Sequence, residues 1–201
     1  MSDRFHDTYF TSDVLAAQAK NYGRTYSRAE SGERDALGAD EAAFIAERDS
    51  FYLATVSSDG WPYIQHRGGP RGFLRVLDPH TLGFADLRGN RQLISTGNLA
   101  GSDKVAIFLM DYPHRARLKL VGRARTVDAR DDRQLADRLS PSADLRAKIE
   151  RVMLIDVAGF DWNCSQHITQ RFSEDEVCDA VAPLHARIAR LEAELAAARP
   201  T

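Results

Sequence analysis

The spacing of apolar side chains changes period several times along the chain, and those changes divide it into elements. Residues 11–20 set Val14 and Leu15 on one side of a helix behind Thr11 or Ser12 as N-cap, which predicts a short amphipathic helix. Residues 21–38 are polar and rich in Ser, Arg and Gly, and read as an exposed connection. Asp40 is placed to cap a second helix that runs to Arg48, with Phe44 and Ile45 on its docking side. From Phe51 the period falls to that of strands. Residues 51–57 and 61–66 read as two strands around a Ser-Ser-Asp-Gly turn, and Gly68-Gly69-Pro70 with Gly72 marks a loop. Strands over 73–77 and 81–86 follow, joined by Asp78-Pro79-His80. A helix is predicted over 90–99. Residues 104–111 read as a strand whose interior, 105–110, is apolar throughout, as expected of one covered on both faces. Residues 115–127 read as one long strand, 131–139 and 142–151 as short helices around Pro141, and 152–158 as the last core strand. Six or seven strands, mostly joined by hairpins and flanked by helices, predict a mainly β, α+β fold built on a small antiparallel barrel.

The tail obeys another rule. Val177, Val181, Leu184, Ile188, Leu191 and Leu195 are spaced 4, 3, 4, 3 and 4 apart, the a/d seam of a coiled coil, with Arg187, Arg190, Glu192 and Glu194 beside it. A helix docked on its own barrel also needs an apolar stripe, but a wider one. Proline is costly inside a helix, by about 3 kcal/mol, so the helix is expected to start at or just before Pro183. The seam would then shrink to 184–195, an adjunct to a larger dimer interface.

Composition narrows the class. Two cysteines, Cys164 and Cys178, are too few for a disulfide framework and lack zinc-site spacing, so both are expected as reduced thiols. The polar sequence after Met1 contains no apolar leader, and the longest apolar run, 105–110, is too short to cross a bilayer; a cytoplasmic protein is expected. A net charge of −2 argues against a nucleic-acid binder.

Candidate chemistry collects in two glycine-containing turns. Gln65-His66-Arg67-Gly68-Gly69-Pro70-Arg71-Gly72 and Phe84-Ala85-Asp86-Leu87-Arg88-Gly89-Asn90-Arg91-Gln92 each leave a strand, and the second opens a helix. Loop glycines let backbone amides approach an anion, a helix N-terminus adds positive potential, and arginine matches phosphate oxygens with paired donors. Converging, the two turns would cradle a phosphate; apart, they are solvated polar turns. Neither has the spacing of a P-loop or a dinucleotide fingerprint. Arg115, Arg117, Lys119, Arg123 and Arg125 alternate with Ala116, Leu118, Leu120 and Ala124, so the cations share one strand face. Solvent suits Arg123 and Arg125, whereas an anionic ligand suits Arg117 and Lys119. After the last core strand, Trp162 and His167 could stack on a flat ligand, or Trp162 could anchor the loop. His66, His114 and His167 lack the spacing of metal ligands, and Cys164 has no identifiable base to activate it.

These motifs together resemble the pyridoxamine 5′-phosphate oxidase-like, FMN-binding split-barrel family. The likeness is carried by the Phe-Tyr-Leu-Ala-Thr-Val-Ser strand, the Asp-Gly-Trp-Pro-Tyr turn, Arg67-Gly68-Gly69, Gly72–Asp78, Gly89-Asn90-Arg91 and 118–125, within residues 40–172. The resemblance implies a homodimer with FMN at the subunit interface and a small-molecule substrate. It implies a division into an N-terminal helix and connection (1–38), a split-barrel domain (39–172) and a C-terminal helix (173–201). Arg67 and the Asn90-Arg91-Gln92 turn resemble the phosphate binders, with Arg71 the alternative to Arg67, and Gln65 and His66 beside it are expected at the cofactor. Phe84, Ala85 and Asp86 lie on the strand that runs along the flavin ring. Arg117 and Lys119 match side chains offered to the flavin, and Trp162 and Arg171 match a Trp and an Arg that reach it from the partner subunit. The oxidases proper carry Arg-Leu-His-Asp-Arg near the C-terminus, where this chain reads Gln166-His167-Ile168-Thr169-Gln170-Arg171, and Gln92 replaces a phosphate-loop lysine. The resemblance therefore extends to flavin binding rather than to vitamin B6 oxidation. An FMN-dependent oxidoreductase is the first expectation. A flavin or haem carrier with His66 or His167 as axial ligand, deazaflavin in place of FMN, and an interaction protein using the C-terminal helix are the alternatives.

Overall fold

The computed structural model describes residues 3–26, 34–162 and 166–198. Seven strands form one antiparallel sheet in the order β2-β1-β5-β6-β7-β4-β3. Their ranges are β1 Ser50–Val56, β2 Pro62–Gly68, β3 Arg75–Asp78, β4 Thr81–Leu87, β5 Lys104–Asp111, β6 Ala116–Asp128 and β7 Ile149–Trp162. Six α-helices flank it: α1 Asp3–Tyr9, α2 Ser12–Tyr22, α3 Ala39–Ala46, α4 Ile94–Gly101, α5 Arg133–Leu139 and α6 Glu174–Ala198. The predicted α+β architecture is thus present. No helix among the described residues is long and apolar enough to cross a membrane.

The long strands β6 and β7 form the spine, and their pairing shifts register between Val121 and Gly122, where Gly122 faces Val157 while Val121 faces Gly159. A Cβ at Gly122 would collide with the Asp156 carbonyl, so this bulge requires glycine. Strand β4 separates two cores. Leu82 and Phe84 pack on one side with Phe51, Leu53, Leu109, Leu120, Met153 and Ile155. Ala85 packs on the other with Ala136 and Leu139 of α5 and Val152 and Leu154 of β7. Continuous burial on both faces therefore belongs to β4, not to β5 as expected from its apolar run. In β5 only Val105, Ile107, Leu109 and Asp111 are buried; Ala106, Phe108 and Met110 form a half-buried outer face, because no layer of the described residues fully covers that side of the sheet.

Several boundaries differ from expectation, each for a local reason. Glycine, not Asp40, begins α3: the Gly38 amide donates to Glu41 Oε2 at 2.9 Å, and the third helical residue closes the cap. The 90–93 segment is loop rather than helix, since Arg91 and Leu93 adopt left-handed φ of 61° and 54°. Residues 142–151 hold only a 3₁₀ turn, Ala143–Lys148, after which β7 begins three residues earlier than expected and continues to Trp162. Arg115 stands in the turn before β6 with φ 54°, outside the strand face assigned to it. The 21–38 connection is not wholly exposed, because Leu37 is buried in the main core. Helix α6 begins well before Pro183: the Ser173 amide donates to Glu176 Oε2 at 2.7 Å and the Glu176 amide to Ser173 Oγ at 3.2 Å. That reciprocal cap starts the helix at Glu174, and Pro183 lies inside it. Helix α1 had no signal in the pattern; it is held by Phe5, buried beneath the ring of Tyr9 at 4.9 Å.

Candidate functional site

Strand alternation turns Tyr63, Gln65 and Arg67 of β2 to one side and leaves Ile64 and His66 exposed on the other. Asp86 at the end of β4, the 88–93 loop, the first turn of α4 and Arg151 of β7 close around the first group. Together they line a polar cavity of about 180 Å³ that contains Gln65, Arg67, Asp86, Asn90, Arg91 and Gln92. The two turns singled out in the sequence therefore do converge.

A carboxylate organises the floor. Asp86, 7% exposed, accepts from Arg67 Nη1 at 2.7 Å through Oδ1 and from Arg151 Nη1 at 3.0 Å through Oδ2. Arg151 Nη2 also donates to Glu150 at 3.1 Å. A buried ion cluster is tolerable only when its hydrogen-bonding capacity is used, yet Arg67 Nε is buried without a partner among the described residues. Three lining guanidiniums, Arg67, Arg91 and Arg151, against Asp86 and Glu150 leave one net positive charge. Above the floor, Asn90 Oδ1 accepts the Gln92 amide at 3.1 Å and tightens the turn. Ser95 Oγ donates to Gln65 Oε1 at 2.8 Å, tying α4 to β2. Helix α4 has left-handed Leu93 at its N-cap with no side-chain cap. The uncapped amides of its first turn border the same cavity. The arrangement has the donors and the charge for a phosphate-sized anion.

The remaining candidates lie elsewhere. Phe84 is packed in the main core and Ala85 in the smaller one, so of these three residues only Asp86 lines the cavity. His66 stands edge-on to Tyr52, with ring centres 5.7 Å apart. Arg117 lies 6.0 Å over the Phe108 ring, and its Nε is buried without a partner among the described residues. Lys119 pairs at 2.7 Å with Asp161, which is 1% exposed, and lies over the Phe5 ring. Trp162 donates from Nε1 to Glu41 at 2.6 Å and packs edge-on to Phe44, and so fixes the end of β7 to α3. Arg171 lies 5.1 Å over the Tyr112 ring. Beside it the Asp111 carboxyl is 2.9 Å from Arg48. Burial acts to raise the Asp111 pKa, but the His114 amide and ring and the Arg48 charge outweigh it and hold the group below the usual carboxylate range. Of the cations expected on one strand face, Lys119 and Arg123 are each paired with a carboxylate, Arg123 with Asp103 at 2.6 Å. Cys164 lies outside the described residues; Cys178 is exposed on α6.

Sequence reasoning missed Arg151, Glu150 and Ser95. Arg151 read as the end of a helix, and nothing in one dimension signals that β7 pairs Arg151 directly with Asp86.

The fold has counterparts among known proteins. Among solved structures, HupZ of Group A Streptococcus superposes with a TM-score of 0.51 at 18% identity, over 68% of this chain and 100% of that one. A protein from Clostridium acetobutylicum related to general stress protein 26 of B. subtilis, of the pyridoxinephosphate oxidase family, gives 0.46 at 14% identity, over 69% and 94%. An FMN-binding protein from Syntrophomonas wolfei gives 0.44 at 14% identity, over 60% and 81%. No curated protein matches the sequence. Residues 37–155, more than half of the chain, match the profile of pyridoxamine 5′-phosphate oxidase. The seven-stranded split barrel and that match together place the chain in the pyridoxamine 5′-phosphate oxidase family.

Proposed function

We propose that this protein is a homodimeric FMN-binding flavoprotein and an oxidoreductase acting on a small molecule. One observation carries the reading: Arg67, the Asn90-Arg91-Gln92 turn and the uncapped start of α4 border a single cavity with a net positive lining. Arg67 gives one Nη to Asp86 and keeps Nε, buried, for a further acceptor. Arg67, Arg91, Ser95 and the first amides of α4 would hold the phosphate, while Asp86 and Arg151 hold Arg67 in position. Bound there, the flavin would supply hydride or electron transfer, which no side chain can perform. Arg117 and Lys119 are the cations we assign to the polar edge of the ring, and Trp162 and Arg171 the side chains contributed by the second subunit.

The two-chain reading is supported by the outer sheet face. Register places Tyr52 opposite His66 and Phe108, and Ala54 opposite Ile64 and Ala106, so these side chains form one continuous surface. Ile64 is 66% exposed and nearby Trp61 75%. An exposed apolar patch of this kind marks an interaction site, and the cavity of about 730 Å³ that it lines is available to a second copy.

Absorbance of the purified protein, with mass analysis of any released cofactor, tests the proposal. Yellow protein releasing FMN is expected, and Arg67→Ala should weaken FMN binding about 10- to 100-fold, the loss of a charge-assisted hydrogen bond or two. Colourless protein that takes up no added FMN overturns it.

A further inference from the structure

Helix α6 runs for 25 residues, Glu174–Ala198, and none of them is buried. Its apolar side chains nevertheless keep to one stripe: Leu184 is 59% exposed, Ile188 52%, Leu191 47% and Leu195 58%. The helix is therefore not docked on its own barrel, and the stripe is a face for another molecule.

The residue types along the stripe identify that molecule. In heptad register, Val181, Ile188 and Leu195 occupy a, and Val177, Leu184 and Leu191 occupy d. Branched Val and Ile at a with Leu at d favour two parallel strands. Position g then holds Ala180, Arg187 and Glu194, and position e holds Cys178, His185, Glu192 and Arg199. In a parallel pair each g faces the following e of its partner, so Arg187 meets Glu192, in duplicate by symmetry. The antiparallel alignment that keeps all six layers instead sets Arg187 against its own copy, and His185 likewise. Pro183 falls at c, outside the seam. We infer that α6 pairs with α6 of a second copy of this chain as a parallel, in-register two-stranded coiled coil.

The seam from Val177 to Leu195 is only about 27 Å long, and a coil that short is weak alone. The pairing rests on the two-chain reading above, whose sheet-face contact supplies the effective concentration. It does not depend on the flavin. Its consequence is directional: both tails leave the dimer on the same side.

Disulfide trapping in the full-length chain tests this, with Cys164 and Cys178 replaced by serine. Leu191→Cys, at d, is expected to convert to covalent dimer under mild oxidation, while Ala193→Cys, on the outward face, stays monomeric on a non-reducing gel. Equal trapping of the two variants overturns the inference. So does faster trapping in a mixture of Leu184→Cys and Ile188→Cys chains than in either alone, since that is the antiparallel pairing. Flavin content and native mass are read on the same samples. Yellow, dimeric protein without the Leu191→Cys link removes the coil and keeps the flavoprotein; colourless protein with the link does the reverse.

Discussion

Asp86 has two tasks that pull against each other. Its carboxylate cancels charge in a cavity built to hold an anion, yet without it two guanidiniums, Arg67 and Arg151, would face each other in a largely buried place. Removing one partner of a buried ion cluster typically costs about 3–5 kcal/mol, because the remaining charge is left uncompensated. Asp86→Ala is therefore expected to lower unfolding stability by about that amount in denaturant titrations. Added phosphate should restore part of the loss, since an anion that binds only the folded state stabilises it by mass action. Unchanged stability of the variant would mean that water, not Asp86, balances the two arginines.

Among the elements, the junction of α3 and β5 carries a buried carboxylate that responds to pH. Just beyond α3, Arg48 donates to Met110 O at 3.1 Å and Phe44 O at 3.2 Å and pairs with Asp111, so a single guanidinium ties helix to strand. The Asp111 carboxyl is held below its ordinary value in the folded state. Protons then bind the unfolded chain more readily. The stabilisation is complete above about pH 4, the unfolded value, and is lost as pH falls through the lower folded one. Urea midpoints measured from pH 6 down to 3 should fall for the native protein, and Asp111→Asn, less stable at neutral pH, should flatten that slope. Parallel curves for the two would assign acid sensitivity to other carboxylates.

For the molecule as a whole, the described barrel has its cores in the sheet and in α3 and α5, and α6 contributes no buried residue. A chain ending at Phe172 is expected to keep its melting temperature within about 3 °C, which corresponds to less than 1 kcal/mol, and to keep its cofactor while its dimer weakens. Loss of flavin from that variant would mean that α6 shapes the site.

What the sequence determined by itself is what local periodicity and turn chemistry encode. The β-rich run of 51–57 and the apolar run within 104–111 specified strands near their observed limits, the glycine turns marked both sides of the cavity, and the heptad in the tail is written in residue order alone. Tertiary structure decided what depends on distant partners. A mostly polar run of seven residues became α1 because Phe5 finds a burial site against β7; Arg91 and Leu93 left the helical region; and Arg151 reached Asp86 across a strand pair 65 positions apart in sequence. The reason is physical. A side chain's periodicity reports which face is apolar, whereas charge balance in a cavity is a sum over groups that only folding brings within hydrogen-bonding range.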